Sequence, residues 1–140
     1  MARKDIIHEA VKNALIKDGW EINYDPLFVD IDGGTKTLEI DLGGEKIILA
    51  AKGIQEIAVE IKSFSSGSIL NAFHTVLGQY LDYQEALREA DMKRILYIAV
   101  AEASYYEIQK IAFIQRRITQ FKLKLIVTDI EKEVVTKWIE

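Results

Sequence analysis

Residues 57–64 read IAVEIKSF. Most of the stretch suits a strand buried in a sheet, yet a glutamate and a lysine stand one residue apart inside it. Successive side chains of a strand point to opposite faces. Ala58, Glu60 and Lys62 therefore share one face, and Ile57, Val59, Ile61 and Ser63 share the other. The second face reads as core. The first sets a carboxylate beside an ammonium, which on an open sheet face is an ion pair of little worth.

The segment before it changes that reading. EIDLGGEKIIL (39–49) is a carboxylate-bearing strand pattern joined to IAVEIKSF through a tight turn at KGIQ (52–55). TLEIDL and KIILA suggest one long strand or two, broken or bulged at Gly43-Gly44. Two carboxylates brought to one point can hold a hard divalent cation such as Mg²⁺, or Mn²⁺. Such a cation activates a bound water and offsets charge on a phosphodiester, and a nearby lysine helps to orient and neutralise.

Further outward, residues 5–18 space Ile6, Ile7, Ala10, Val11, Ala14 and Leu15 as an amphipathic helix, with Asp5 as N-cap and Gly19 as stop. WEINY (20–24) and FVDI (28–31) suggest strands, and Gly33-Gly34 a turn. SSGS (65–68) precedes a second helical pattern from Ile69 to Leu87. RILYIAVA (94–101) is a near-continuous apolar run, as in a strand covered on both faces. A third helix is expected over 104–119, then strands at LKLIVTD and VVTKWI. This order predicts one mixed α/β domain over residues 1–140, a sheet covered by helices.

The chain has 140 residues and net charge −4, so nothing draws it as a whole to nucleic acid or anionic lipid. Residues 108–128 nevertheless hold Lys110, Arg116, Arg117, Lys122 and Lys124 and no acid. That run is either a solvated basic face or a phosphate-contacting patch in which Arg116, Arg117, Lys122 and Lys124 bind DNA. The absence of cysteine excludes disulfides and thiolate zinc sites. No apolar run reaches the ~20 residues that span a bilayer, and MARKDIIHEA is unlike a signal peptide, so no membrane partner and a cytoplasmic location are expected.

The αβββαβ order, the acid on the second core strand and Glu60-Ile61-Lys62 on the third resemble the PD-(D/E)XK nuclease superfamily, whose fold is restriction-endonuclease-like. The chain more closely resembles the XisH family, the fdxN element excision controlling factor of cyanobacteria. DIIHEAVKNALIKDGW, IDLGGEKIILAAKG, IAVEIKSF, LGQYLDY and KLIVTDIEKEVVTKWI carry that resemblance over nearly the full length. It implies a role in site-specific excision of a DNA element, beside a small XisI-like partner protein and a separate recombinase.

The resemblance also implies roles for particular residues. Glu60 and Lys62 match the (D/E)-x-K pair. Asp41 and Glu45 are alternative metal acids. Asp41 has the expected residue type, and Glu45 has the better register if the hairpin turns about Lys52-Gly53. The superfamily often carries an acid on the first helix. Glu9 is that candidate by residue type, though it points away from the apolar stripe as a solvent-exposed residue does; His8 borders the stripe and is the alternative first-helix contributor, placed to face the site. Gln79 and Tyr83, four apart on the second helix, resemble a Q-x-x-x-Y element in which the glutamine positions substrate or lysine. Ser63, Ser65 and Ser66 are hydroxyl donors to phosphate or simply a polar turn. Three functions are open: a Mg²⁺- or Mn²⁺-dependent DNA endonuclease or nickase, working as a homodimer or with its partner; a catalytically idle nuclease fold that regulates a recombinase; and, well behind, a plain interaction domain.

Overall fold

The computed structural model describes residues 3–48, 53–64 and 67–140. The chain runs α1 (Arg3–Lys17), β1 (Glu21–Tyr24), β2 (Leu27–Ile31), β3 (Lys36–Ile40), β4 (Leu42–Ile48), β5 (Gly53–Ile61) and α2 (Ile69–Glu89). It continues with β6 (Ile95–Ala101), α3 (Glu102–Gln109), α4 (Ala112–Phe121), β7 (Leu125–Asp129) and β8 (Val134–Ile139). Six strands form a mixed sheet in the order β1-β4-β5-β6-β7-β8, and β2 and β3 form a separate antiparallel ribbon. The β5–β6 and β6–β7 pairs are parallel, and the other pairs of the sheet are antiparallel. Parallel neighbours need long crossovers; α2 makes the first, and α3 with α4 the second. This is the mixed α/β architecture, a mixed central sheet flanked by helices, that the element order predicts.

Both sheet faces are covered. On one, Ile7, Val11 and Leu15 of α1 pack with Leu42, Ile57, Val59, Tyr97 and Ile126. On the other, Phe73, Val76 and Tyr80 of α2 and Ile114 and Ile118 of α4 pack on Ala58, Ile98 and Val100, with Val29 and Ile40 of the ribbon. The alternation along β5 is as expected, but the Ala58/Glu60 face is core too. Ala58 is 0% exposed and Glu60 6%. β6 is buried on both sides, as its unbroken apolar run predicts.

Three local expectations are corrected. The helix α1 begins at Arg3, so Asp5 lies in its first turn and complements the positive helix end instead of capping it. The strand pattern over 37–50 breaks at Asp41, where the chain leaves the ribbon and enters the main sheet; Leu42↔Val59 to Ile48↔Gly53 is an uninterrupted register. Gly43-Gly44 answers a different need. A Cβ on Gly44 would lie 3.0 Å from the Glu21 carbonyl oxygen, so glycine lets the irregular strand β1 approach.

The third helix is two. Ile111 takes an extended conformation between α3 and α4. Ile108 and Ile114, six residues apart, fall about 120° out of phase on one continuous helix. The break resets the phase, and both are buried, at 2% and 0% exposure. In α2, Ser68 supplies the N-cap by accepting the Asn71 N–H at 3.2 Å. Ser65 and Ser66 lie outside the described residues.

Candidate metal centre

At the end of β5 the alternation that buries Ala58 aims Glu60 toward the α2 side of the sheet. Asp41 meets it from the ribbon–sheet junction. The Asp41 amide donates to Glu60 Oε1 at 3.3 Å, and the Ile61 amide donates to Asp41 Oδ2 at 2.8 Å. Lys62 Nζ lies 3.0 Å from Glu60 Oε2. Lys62 is held by its own backbone N–H, which donates to the Ala99 carbonyl at 2.9 Å. Two carboxylates and one ammonium therefore converge, largely shielded from water.

Glu45 does not join them. It stands opposite Glu56 on β5 and Glu21 on β1, and Asn23 Nδ2 reaches its Oε1 at 3.5 Å. The register expected for it required a turn about Lys52-Gly53. The pairing Ile48↔Gly53 closes the hairpin two residues earlier and slides Asp41, not Glu45, to the level of Glu60.

Burial raises the Glu60 carboxyl above its ordinary pKa, the Asp41 carboxylate raises it further, and Lys62 opposes both. One lysine does not balance two acids there. Such a site fits a hard divalent cation that takes one or two protein carboxylates and keeps waters. Asp41 Oδ1 makes none of the hydrogen bonds above and is the natural ligand atom, with Glu60 beside it.

Gln79 and Tyr83 line a crevice together with Ile31 and Leu38 of the ribbon and Ala86 of α2. Tyr83 is pushed up to about 12 by burial first, then by the Glu60 and Asp41 carboxylates, so its phenol keeps its proton at neutral pH. Gln79 Oε1 is buried without a hydrogen-bond partner among the described residues. The same crevice carries Asp32, Asp82, Glu85 and Glu89 and is strongly acidic.

The first-helix residues go elsewhere. The apolar stripe of α1 packs on the sheet face opposite Glu60. His8 Nε2 lies 2.8 Å from Asp25 Oδ1, and Lys12 Nζ lies 2.8 Å from Asp25 Oδ2. His8, Glu9 and Asp25 hold ligand-type atoms within 4.8 Å of one another. Burial raises the Asp25 carboxyl, but the bonds from Lys12 and His8 outweigh it and leave it lowered. Lys12 already supplies the cation of that cluster.

Arg116 and Arg117 lie on α4, Lys122 is its C-cap and Lys124 leads into β7. Arg116 and Lys122 are exposed, Arg117 and Lys124 half-buried. None is bonded to Glu60 or Asp41. A residue the sequence reading passed over is Arg94, just before β6. Its side chain is 9% exposed, donates to the Gly44 and Ile57 carbonyls at 3.2 and 2.9 Å, and pairs with Glu56 at 3.2 Å. It pins β4 to β5 and so fixes the register that presents Asp41. Its only signal in the sequence is a lone arginine opening an apolar run.

Fold and site together define a mixed α/β domain with an acid–acid–lysine cluster at the end of a central strand. The chain belongs to the XisH family: the model of that family, described as XisH protein, matches residues 1–136. It is similar to a crystal structure of an fdxN element excision controlling factor protein from Anabaena variabilis. The identity is 39% and the TM-score 0.85, covering 97% of this chain and 99% of that one. It is also similar to an XisH family protein from Nostoc punctiforme PCC 73102, at 36% identity and TM-score 0.84, covering 97% of this chain and 100% of that one. No curated protein matches the chain. Among the described residues no helix is long and apolar enough to cross a membrane.

Proposed function

We propose that the chain is a metal-dependent DNA endonuclease or nickase of the PD-(D/E)XK, restriction-endonuclease-like kind, acting in excision of a DNA element beside a small XisI-like partner. The observation that carries this reading is the convergence of Asp41, Glu60 and Lys62 at one shielded point. Asp41 and Glu60 would hold Mg²⁺ or Mn²⁺, which when bound would supply a water of lowered pKa and positive charge against the scissile phosphate. Lys62, kept at the centre by Glu60, orients the attacking water and offsets the negative charge that grows on the phosphoryl oxygens. Tyr83, protonated, donates a hydrogen bond at the rim, and Gln79 beside it positions substrate.

The test is nicking of supercoiled plasmid with Mg²⁺ or Mn²⁺, with and without the partner protein. Activity that disappears in Lys62→Ala and Glu60→Gln supports the reading. Activity that persists unchanged in both belongs to a contaminant and removes it.

A second reading, a catalytically idle fold that regulates a recombinase through protein contacts, is favoured by the acidic crevice. Asp32, Asp82, Glu85 and Glu89 repel a phosphate backbone and attract a basic protein surface. Absence of cation binding by the wild-type chain selects this second reading.

A further inference from the structure

The helix α4 combines an anchored inner face with an unusual outer one. Ile114 and Ile118 are buried at 0% and 8% exposure and fix its position. Outward stand Phe113, 46% exposed, and Arg116. The Arg116 and Arg117 guanidinium carbons lie 5.7 and 6.0 Å from the Phe113 ring centre, and that of Arg117 lies 4.6 Å from the Phe121 ring. The ion pairs among the described residues use His8, Lys12, Lys62, Arg88, Arg94 and Lys110, and none uses Arg116, Arg117 or Lys122. Arg117 instead donates to Gln120 Oε1 at 2.8 Å. A guanidinium held on a ring face is oriented at low entropic cost, and its remaining N–H groups can grip two oxygens of an anion such as phosphate.

We infer that α4 binds an unpaired DNA strand, with phosphates on Arg116, Arg117 and Lys122 and a base stacked on Phe113. A duplex keeps its base faces inside and gives an exposed phenyl nothing to stack on, whereas a single strand offers both π faces and phosphates. An acidic protein would match the charge, but among the α4 residues named here only Phe113 offers it exposed apolar area. The inference takes the choice of DNA from the reading above and nothing from its chemistry, because binding at α4 needs neither the cation nor Lys62.

The experiment is fluorescence anisotropy of a labelled oligonucleotide of ~16 nucleotides, single-stranded or as a duplex. EDTA is present and the chain carries Lys62→Ala, so cleavage and binding fail separately. The single strand binds more tightly than the duplex. Phe113→Ala weakens it roughly fivefold or more and leaves the duplex within about twofold. Arg116→Ala and Arg117→Ala each lower the salt dependence of single-strand binding. Phe113→Leu, which keeps an apolar surface without the ring, behaves as Phe113→Ala. Equal affinity for the two forms, no binding to the single strand, indifference to Phe113→Ala, or tighter capture of polyglutamate than of DNA each overturns the inference.

Discussion

Asp41 and Glu60 hold each other crosswise: the amide of Asp41 donates to the Glu60 carboxylate, and the amide following Glu60 donates to the Asp41 carboxylate. The two acids are thereby fixed by backbone donors in addition to the Glu60–Lys62 ion pair. Preorganisation of this kind lets a site act without rearranging at the moment of reaction.

The geometry separates Asp41 from Glu45. Asp41→Asn lowers plasmid nicking by about 10²-fold or more, whereas Glu45→Gln, which faces Glu56 and Glu21, stays within about twofold. Initial rates of open-circle formation at saturating Mn²⁺ read the difference.

The raised Glu60 carboxyl makes the cation-free fold sensitive to pH. Its ordinary value is 4.5 and its folded value is higher, so the native state favours the protonated form. Its stabilising contribution is full below the ordinary value and is lost as pH rises through the folded one. Glu60→Gln removes that loss. In urea unfolding with EDTA, the variant gains on the wild type as pH rises above 4.5. A constant difference contradicts the assignment. Mn²⁺ affinity runs the other way and rises with pH over the same window, because cation and proton compete for Glu60.

Two glycines respond oppositely to alanine. Gly44→Ala places a methyl 3.0 Å from the Glu21 carbonyl oxygen and costs about 1–3 kcal/mol. Gly78→Ala, inside α2 with nothing within 4 Å, gains about 0.5–1 kcal/mol. Denaturation midpoints give both signs.

Arg94→Ala removes the side-chain donor that bridges the Gly44 and Ile57 carbonyls, a pair in the β4–β5 ladder, and costs about 0.5–1.5 kcal/mol. Glu56→Gln costs less than about 1 kcal/mol, because the Glu56 side chain is 42% exposed. Arg94→Ala also lowers nicking, since it loosens the β4–β5 register.

Glu60 and Lys62 were legible because strand alternation is local: eight residues suffice to say which side chains share a face. The partner acid was not, because register is decided where the hairpin closes, and KGIQ carries a turn signal although Gly53 is already in β5. The break at Asp41 was hidden for a related reason. TLEIDL is one unbroken β pattern, and only the separate ribbon built by β2 and β3 makes its end a junction. Nothing in Gln109-Lys110-Ile111 disfavours helix; the interruption follows from the shared core that Ile108 and Ile114 must reach. The position of His8 depended on which sheet face α1 covers, a tertiary choice that its own periodicity does not contain.

Calorimetric titration of Mn²⁺ into the chain at neutral pH tests the central claim most directly. Saturable binding is expected in the wild type, in Glu45→Gln and in His8→Ala, and its loss in Asp41→Asn and Glu60→Gln. No binding by the wild type, or binding that survives Asp41→Asn but disappears in His8→Ala or Asp25→Asn, contradicts the account.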